Sequence, residues 1–334
     1  MKINKLNSFN SISIDLDNIN QVNITNSLTT QEYPVVFAAK EKYLLLHEWI
    51  ALNKDLVKDN LYKYGAILFR NFNSDIAGNS FKEIVANYIE ETIEYDLGAG
   101  NRSKVIDNIY ISTFHPKEED LEMHNEMSYT SFWPKEIMFY CEIPSVGDGA
   151  TPLCDGRKIW NLLKPETKKK FTDLSIMYVR KLGGMFGGQT WQMVFDTDDK
   201  TVAEKKCIEN NIDFEWQDND VMVMKWIGPV TVLHPITQEI SWFNHCYFFN
   251  SIMLNNDIET VLTIDDIPFY CYYGDGSVIE IETLMELKEA YEKTKSCFLW
   301  EKGDLLLVDN MLMSHGRNSF KGERKVLVAM FKNN

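Results

Sequence analysis

Residues 305–317 read LLLVDNMLMSHGR, and the prediction of the fold begins from this stretch. It opens with four consecutive apolar residues, which is typical of a strand that is buried on both faces. The stretch then reaches His315, which is followed by Gly316 and Arg317. We therefore interpret it as a buried strand that ends in a histidine beside a glycine.

Outward from this stretch, the chain after about residue 100 is a series of short apolar segments separated by turn residues. Strands are predicted over 105–112, 137–143, 176–180, 221–226, 231–233, 240–243, 304–309 and 324–331. Apolar residues at helical spacing predict helices over 40–64, 81–88 and around 281–291. Many short strands with covering helices favour a barrel or jelly roll over a doubly wound sheet, because strand–helix alternation with phosphate-binding glycines is missing.

A single domain is predicted for residues 32–334, because neither a repeat nor an obvious linker divides them. Helices are expected over 40–95 and the strands of the core over 100–331. Residues 1–31 are rich in Asn, Ser, Ile and Thr without a sustained apolar period. They are predicted to form an arm or an edge strand on the main body.

Charge and composition exclude several classes of protein. The 334 residues carry a formal net charge of −15, which repels nucleic-acid phosphates and anionic lipid surfaces. No apolar run approaches the roughly 18 residues of a membrane span, and the first residues lack the apolar core of a secretory signal. The six cysteines form no C-x-x-C pair, which favours free thiols in a reducing compartment. A cytoplasmic protein with neither a nucleic-acid partner nor a membrane is expected.

A metal site is the first chemical hypothesis. His124-Asn125-Glu126 places an imidazole and a carboxylate two residues apart, so both point to one face of an extended segment. Taken alone, the triplet also fits an ordinary surface His–Glu pair. Together with His315 it supplies two histidines and one carboxylate, the facial triad that leaves three adjacent positions open on non-haem Fe(II).

Arg324 is the candidate anion-binding residue. It alternates with Val326, Val328 and Met330, which predicts that it shares their buried face. We expect it nine residues after His315 on the partner strand of the same hairpin. A buried guanidinium needs an anion, and the far carboxylate of a chelating 2-oxoacid fits its bidentate geometry. A structural salt bridge to one of the many acidic residues is the alternative.

Four motifs in order resemble the taurine dioxygenase (TauD/TfdA) superfamily over about residues 60–331, and within it the clavaminate-synthase-like members of amino-acid and peptide natural-product pathways. The motifs are His124-Asn125-Glu126-Met127-Ser128-Tyr129, Gly149-Ala150-Thr151-Pro152-Leu153-Cys154-Asp155, Tyr273-Gly274-Asp275-Gly276-Ser277, and Asp309-Asn310-Met311 continuing through His315-Gly316-Arg317 to Met330.

The resemblance implies a mainly β fold with covering helices, a double-stranded β-helix (jelly roll), with Fe(II), 2-oxoglutarate and O2. Carried over by position, His124, Glu126 and His315 are the iron ligands. Thr151 is the hydroxyl that hydrogen-bonds the co-substrate carboxylate, and Arg324 is its salt-bridge partner. Two departures stand out: residues 147–152 read GDGATP where the family has Gly-Gly-Glu-Thr-Pro, and a glutamate replaces the commoner aspartate ligand.

The resemblance also implies hydroxylation of an unactivated C–H bond in an amino acid or an amino-acid-derived small molecule, free or tethered to a carrier protein. Succinate and CO2 are the co-products. A zwitterionic substrate would need one cation and one anion, and residues 183–188 are a candidate lid or a plain glycine loop. The candidate substrate residues, for which surface salt bridges are the alternative role, are Arg102, Asn125, Asp155, Gln189, Trp191, Gln192 and Arg317.

Other functions remain open at this point. Within the family, a taurine-type small-acid dioxygenase, a desaturase or a cyclase would use the same residues. The presence of Glu126 argues against a halogenase, since related halogenases lack the carboxylate ligand. A zinc hydrolase would leave Thr151 and Arg324 without a purpose, and a degenerate jelly-roll binding protein would not need an intact triad. His245 lies in an aromatic run and is predicted to line a pocket rather than to bind the metal.

Overall fold

A computed structural model describes residues 20–26, 28–73, 80–88, 91–93, 104–112, 115–183, 188–254 and 267–332. Most of the predicted arm lies outside the described residues. The same is true of the candidate substrate residue Arg102 and of residues 184–187 in the candidate lid.

Short strands dominate the described chain, with helices between them. The strands are β1 (Val22–Thr25), β2 (Val35–Ala39), β3 (Ala66–Arg70), β4 (Glu91–Thr92), β5 (Lys104–Ile106), β6 (Ile109–Ile111), β7 (Leu121–His124), β8 (Glu136–Ile143), β9 (Leu153–Asp155), β10 (Ile176–Leu182), β11 (Asp213–Gln217), β12 (Val221–Gly228), β13 (Thr231–Leu233), β14 (Ile240–Trp242), β15 (Phe269–Tyr273), β16 (Leu305–Asp309), β17 (Met313–Arg317) and β18 (Lys325–Lys332). The α-helices are α1 (Leu46–Leu52), α2 (Lys54–Tyr64), α3 (Ser80–Ala86), α4 (Gly156–Leu162), α5 (Pro165–Leu174), α6 (Trp191–Phe195), α7 (Lys200–Glu209), α8 (Cys246–Asn250) and α9 (Ile281–Thr294). None of these helices of the described residues is long and apolar enough to cross a bilayer.

A nine-stranded sheet has the order β1-β2-β3-β16-β8-β18-β6-β5, with β4 beside β18. All five residues of β16 are buried; the run of four apolar residues predicts this for the first four, and the fifth is Asp309. On one face of the sheet, Leu305 and Leu307 pack with Trp49 of α1 and Leu61 of α2. Helices therefore cover this face, and the other face is left for a second sheet.

That second sheet has three strands in the order β7-β17-β9. Met313 of β17 and Leu153 of β9 belong to the same hydrophobic core as Val308 and Val328 of the large sheet. The two sheets thus pack face to face and form the predicted jelly roll. The two predicted metal-binding histidines lie on β7 and β17 of the smaller sheet.

The predicted hairpin between the strand of His315 and the strand after Arg324 is wrong. β17 pairs with β7 and β9, whereas β18 pairs with β4, β6 and β8 in the large sheet. The shared buried face of Val326, Val328 and Met330 is confirmed. Arg324 does not belong to that face, because it precedes the first residue of β18 and is only partly buried. Alternation along a strand defines which face is buried but does not identify the pairing partner, and the partner is what the prediction missed.

Two other predicted elements are each divided in the structure. The helix expected over 40–64 becomes α1 and α2, separated at Asn53, whose backbone is non-helical and whose Nδ2 donates to the carbonyl oxygen of Trp49 at 2.8 Å. The strand expected over 105–112 becomes the hairpin of β5 and β6, because Asp107 turns the chain with a φ of +46°. Asn and Asp favour such positions.

A four-stranded sheet, β11-β12-β10-β15, and the short pair β13-β14 flank the smaller sheet of the jelly roll. Ile176 of β10 and Tyr273 of β15 share a core with Met123 of β7 and with Leu284 and Leu287 of α9. This packing holds β10 near β7.

We predict that Trp49→Ala destabilises the fold by about 3–5 kcal/mol, because a large aromatic side chain is lost from a packed core. Trp49 is 1% exposed, and its ring lies 5.7 Å from that of Phe37 and 5.6 Å from that of Phe72. Denaturant unfolding measures the loss. Leu52→Ala on the same helix is the control, since Leu52 is 70% exposed. Equal midpoints for the two variants would contradict the assignment of this core.

Candidate metal centre

Three side chains predicted to bind a metal converge in the structure. His124, Glu126 and His315 are buried, and each offers one ligand atom within 4.8 Å of the other two. His315 Nε2 lies 3.9 Å from Glu126 Oε2, and the two imidazole centroids are 4.6 Å apart. His315 is far along the chain from His124 and Glu126, so only the tertiary fold brings the three together.

The pairing of β7 with β17 places the two histidines. His315 is the direct antiparallel partner of His124. Side chains at opposed positions lie on the same face of a sheet, a few ångströms apart. Gly316 lets the strands approach, because a Cβ at this position would lie 2.6 Å from the backbone oxygen of Leu121.

Asn310 holds the segment that carries Glu126. Its Oδ1 accepts the backbone N–H of Glu126 at 2.8 Å, and its Nδ2 donates to the carbonyl oxygens of Glu126 at 2.9 Å and Pro134 at 2.7 Å. Asn125 Nδ2 donates to the carbonyl oxygen of Asn310 at 2.7 Å, and Asn125 Oδ1 is buried without a hydrogen-bond partner among the described residues. Asn310 lies inside a motif that the sequence shows, but its role depends on the fold of this segment.

The donor set fits a divalent transition metal. His124 Nδ1 lies 2.8 Å from the carbonyl oxygen of Glu122, a contact that requires a proton on Nδ1 and leaves the lone pair of Nε2 for a metal. Ligands about 2.1 Å from one ion lie at most about 4.2 Å apart. The 3.9 Å between His315 Nε2 and Glu126 Oε2 lies within this limit.

The two residues predicted to bind the co-substrate, Arg324 and Thr151, lie in contact with each other. Arg324 Nε donates to the carbonyl oxygen of Gly149 at 3.0 Å, and Nη2 donates to Thr151 Oγ1 at 3.4 Å. Thr151 Oγ1 also accepts the indole N–H of Trp300 at 3.0 Å, which leaves its own proton for another acceptor. Burial, together with the nearby charge of Arg317, lowers the pKa of Arg324 to about 10.

The guanidinium of Arg324 has no carboxylate within salt-bridge distance among the described residues. A desolvated cation without an anion is costly. The arrangement therefore favours an anionic ligand at this point, next to the hydroxyl of Thr151.

Arg317 and Asp155 are engaged in structural interactions. The guanidinium of Arg317 donates to three backbone carbonyl oxygens, those of His115, Pro116 and Glu119. Asp155 caps α4 and forms a bidentate ion pair with Arg157, with contacts of 3.0 and 2.8 Å. Asp155 is thus already matched by a cation of the protein itself.

The three candidate substrate residues that follow the glycine loop have different partners: Gln189 contacts Arg180, whereas Trp191 and Gln192 contact Asp220. Gln189 Oε1 accepts a hydrogen bond from Nη2 of Arg180 at 2.6 Å. Trp191 Nε1 and Gln192 Nε2 both donate to Asp220 Oδ2, at 3.0 and 3.1 Å, so the structure directs these two side chains towards the surface acid.

Arg180 itself was missed by the sequence analysis. It occupies a buried position on β10, where buried and half-buried residues alternate. The rule that singled out Arg324, a cation on a buried face, applies to Arg180 equally well.

Aromatic side chains form an apolar wall around the centre. Phe248 lies 5.1 Å from the ring of His124, and Phe139 lies 5.0 Å from the ring of His315. His245 lies 5.6 Å from His124 and is not part of the ligand group that the described residues form. Burial, with a smaller effect of His124, lowers the pKa of His245 well below its usual value, so this wall is neutral.

The fold and the site define a metal-dependent oxygenase of the jelly-roll class. Residues 28–330 match the model of the taurine catabolism dioxygenase TauD, TfdA family, so the chain belongs to this family. The match confirms the predicted enzyme class, an Fe(II)- and 2-oxoglutarate-dependent dioxygenase. Iron, 2-oxoglutarate and O2 are accordingly its metal and co-substrates.

Individual relatives agree with the family. The chain is 30% identical over 278 residues to the dapdiamide synthesis protein DdaC of Enterobacter agglomerans, covering 82% of this chain and 84% of that protein. It is 26% identical over 306 residues to the clavaminate synthase-like protein At3g21360 of Arabidopsis thaliana, covering 86% and 88%. The solved structure of PvcB from Pseudomonas aeruginosa, described as an Fe, alpha-ketoglutarate dependent oxygenase from an isonitrile synthetic pathway, superposes with a TM-score of 0.55 at 13% identity, covering 99% and 96%.

We predict that Asn310→Ala weakens Fe(II) binding about tenfold, since the segment that holds Glu126 loses its hydrogen bonds. Anaerobic titration with Fe(II), at a temperature where the circular dichroism of the variant matches that of the wild type, measures the effect. Asn87→Ala is the control, because Asn87 makes only an exposed contact with the carbonyl oxygen of Glu83. Wild-type affinity in a folded Asn310→Ala protein would refute this role.

Proposed function

We propose that the protein hydroxylates an unactivated C–H bond of a small amino-acid-derived molecule, with conversion of 2-oxoglutarate to succinate and CO2. Two observations carry this proposal: a three-residue ligand group, and a partly buried guanidinium, that of Arg324, which has no carboxylate partner among the described residues. A metal alone would explain the first feature and leave the second without a purpose.

His124, Glu126 and His315 hold the ferrous ion in this proposal. Iron and 2-oxoglutarate, when bound, activate O2 for insertion of one oxygen atom into the substrate and one into succinate. Because the protein supplies three ligands, three positions of an octahedral ion remain for exchangeable groups. Glu126 contributes the carboxylate whose presence favours oxygenation over halogenation.

Arg324 and Thr151 bind and orient the co-substrate. The guanidinium offers a positive charge to the carboxylate remote from the metal, and the Thr151 hydroxyl donates a hydrogen bond to the same group. Trp300 and Gly149 hold these two side chains in place through the hydrogen bonds described above. Orientation of this kind lowers the activation free energy, because the entropy cost of bringing the reacting groups together is met when the co-substrate binds.

The apolar wall excludes water from the reaction. Phe139 and Phe248 pack against the histidine ligands, and His245 is buried and neutral beside them. A dry site prevents loss of the oxidising equivalent to solvent and strengthens the electrostatic contacts inside. The name of the relative DdaC, a dapdiamide synthesis protein, supports a small-molecule substrate.

Anaerobic addition of Fe(II) and 2-oxoglutarate is expected to produce the weak visible absorption of a metal-chelated 2-oxoacid. Glu126→Ala is expected to raise the Fe(II) concentration that this absorption requires, because the ion loses one of its three protein ligands. Glu118→Ala, which removes an exposed carboxylate close in sequence, leaves it unchanged. A wild-type protein with neither the absorption nor O2-dependent succinate formation would refute the proposed function.

Arg324→Ala is expected to raise the 2-oxoglutarate concentration at half-maximal absorption by about tenfold or more, because a charge-assisted hydrogen bond is lost. Fe(II) affinity should change little. The adjacent Lys325→Ala is the matched control, since Lys325 pairs with Glu142 at the surface. An unchanged half-maximal concentration in Arg324→Ala would contradict the assigned role.

A further inference from the structure

A buried histidine outside the ligand group contacts the turn that joins β16 to β17. His234 lies in the connection between β13 and β14 and is 3% exposed. Its Nε2 lies 2.9 Å from Oδ2 of Asp309, the buried last residue of β16. The two residues are 75 positions apart in the sequence, so this contact depends on the tertiary fold.

A backbone contact determines which nitrogen of His234 carries the proton. Thr237 donates its backbone N–H to Nδ1 of His234 at 3.1 Å. Nδ1 must therefore present a lone pair, and the proton is on Nε2. His234 is thus a neutral imidazole whose Nε2–H donates to the carboxylate of Asp309.

The other carboxylate oxygen of Asp309 stabilises the turn at residues 310–312. Oδ1 accepts the backbone N–H groups of Met311 at 3.0 Å and Leu312 at 3.1 Å. An aspartate side chain favours a turn when it accepts the N–H two residues further along the chain. Because His234 binds one oxygen and the turn binds the other, His234 fixes the orientation in which the carboxylate meets the turn.

His234 is the one side chain among the described residues that donates a hydrogen bond to Asp309. Asp309 lies opposite Glu136 in the pairing of β16 with β8, and Glu136 has its own partners in Lys58 and the hydroxyl of Tyr88. Loss of His234 would therefore leave one oxygen of a buried carboxylate without its donor. A group in that state pays the cost of desolvation without compensation, which favours a rearrangement of Asp309 and of the turn.

The turn connects Asp309 to the ligand group. Asn310 follows Asp309 and forms hydrogen bonds with both the backbone N–H and the carbonyl oxygen of Glu126. After the turn, β17 leads to His315. A rearranged turn would therefore change the positions of two members of the ligand group, Glu126 and His315.

We propose that His234 is a positioning residue for the metal centre. Its hydrogen bond to Asp309 fixes the turn at residues 310–312 and, through Asn310, the segment that carries Glu126. The inference rests on the metal centre of the proposed function and adds to it a residue from outside the ligand group. Asp309 and Asn310 stand between His234 and Glu126, so the effect of His234 on the metal is indirect.

Three variants separate this role from a general effect on stability. His234→Phe removes the donor but keeps an aromatic ring beside Tyr62, whose ring lies 5.6 Å from that of His234. His234→Gln keeps an N–H group near the end of the side chain. Ile50→Ala is the control, because Ile50 is buried in the helix-covered core of the large sheet.

Hydrogen exchange of the metal-free protein tests the coupling itself. Mass spectrometry of peptides that cover residues 121–128 and 309–313 is carried out at a temperature where circular dichroism shows all variants folded. We expect His234→Phe to speed exchange in both peptides about tenfold, because a buried acceptor loses its donor and the turn opens more often. His234→Gln should restore slow exchange, and Ile50→Ala should not single out these two peptides.

Anaerobic calorimetric titration with Fe(II) measures the consequence for the metal centre. His234→Phe is expected to weaken Fe(II) binding about tenfold, as substitutions of residues that orient metal ligands do. In an Asn310→Ala background the same change should have little further effect, because both residues act on Glu126 through one series of contacts. A purely structural role of His234 would give independent, additive effects instead.

Three results would overturn the inference: wild-type exchange of the 121–128 peptide in His234→Phe, wild-type Fe(II) affinity in that variant, or additive losses of binding free energy in the double variant. The exchange experiment needs no metal, so its outcome is independent of the proposed function. A wild-type protein that shows the expected exchange but lacks the visible absorption with Fe(II) and 2-oxoglutarate would refute the proposed function alone.

Discussion

The pairing of β7 with β17 is the constraint on which the rest of the site depends. It sets His124 directly opposite His315 and so defines two of the three proposed ligand positions through the register of the strands. The approach is close enough that a methyl group at Gly316 would collide with the opposing backbone. Because both strands are anchored in a packed jelly-roll core, the proposed ligands are already held close together, and a metal that binds them would need little further ordering.

Buried positive charge is the second organising feature, and it contrasts with the surface. The chain carries a net charge of −15, yet the guanidinium groups of Arg317 and Arg180 are buried and that of Arg324 is partly buried. The guanidinium of Arg317 donates its hydrogen bonds to backbone carbonyl oxygens. Because these acceptors are neutral, the positive charge of Arg317 still lowers the pKa of Arg324. At an interior position, the electrostatic potential depends more on nearby buried charges than on the distant charges of the surface. Water and salt screen the surface charges but screen buried charges only weakly. An acidic enzyme can thus bind anionic ligands.

Residue-level reasoning selected the three residues that converge in the structure, because each of them carries a local signal. His124 and Glu126 share a face by their spacing, and His315 ends an apolar run. Arg324 was selected by a pattern of burial, and its meeting with Thr151 was expected from the family resemblance. The strand partner of Arg324 was missed, since alternation does not encode pairing. Arg180 was missed although its position on β10 carries the same signal, a cation among buried residues.

The sequence by itself determined the fold class, the enzyme class and the set of metal-binding residue types, because periodicity and ordered motifs are properties of the chain. Only the tertiary structure decided which candidates face the site. In the tertiary structure, Asp155 forms an ion pair with Arg157, and Trp191 donates a hydrogen bond to Asp220. Tyr129 and Arg180 line one cavity. The physical reason is that such contacts join residues far apart in sequence, and their geometry depends on how the sheets pack rather than on local spacing.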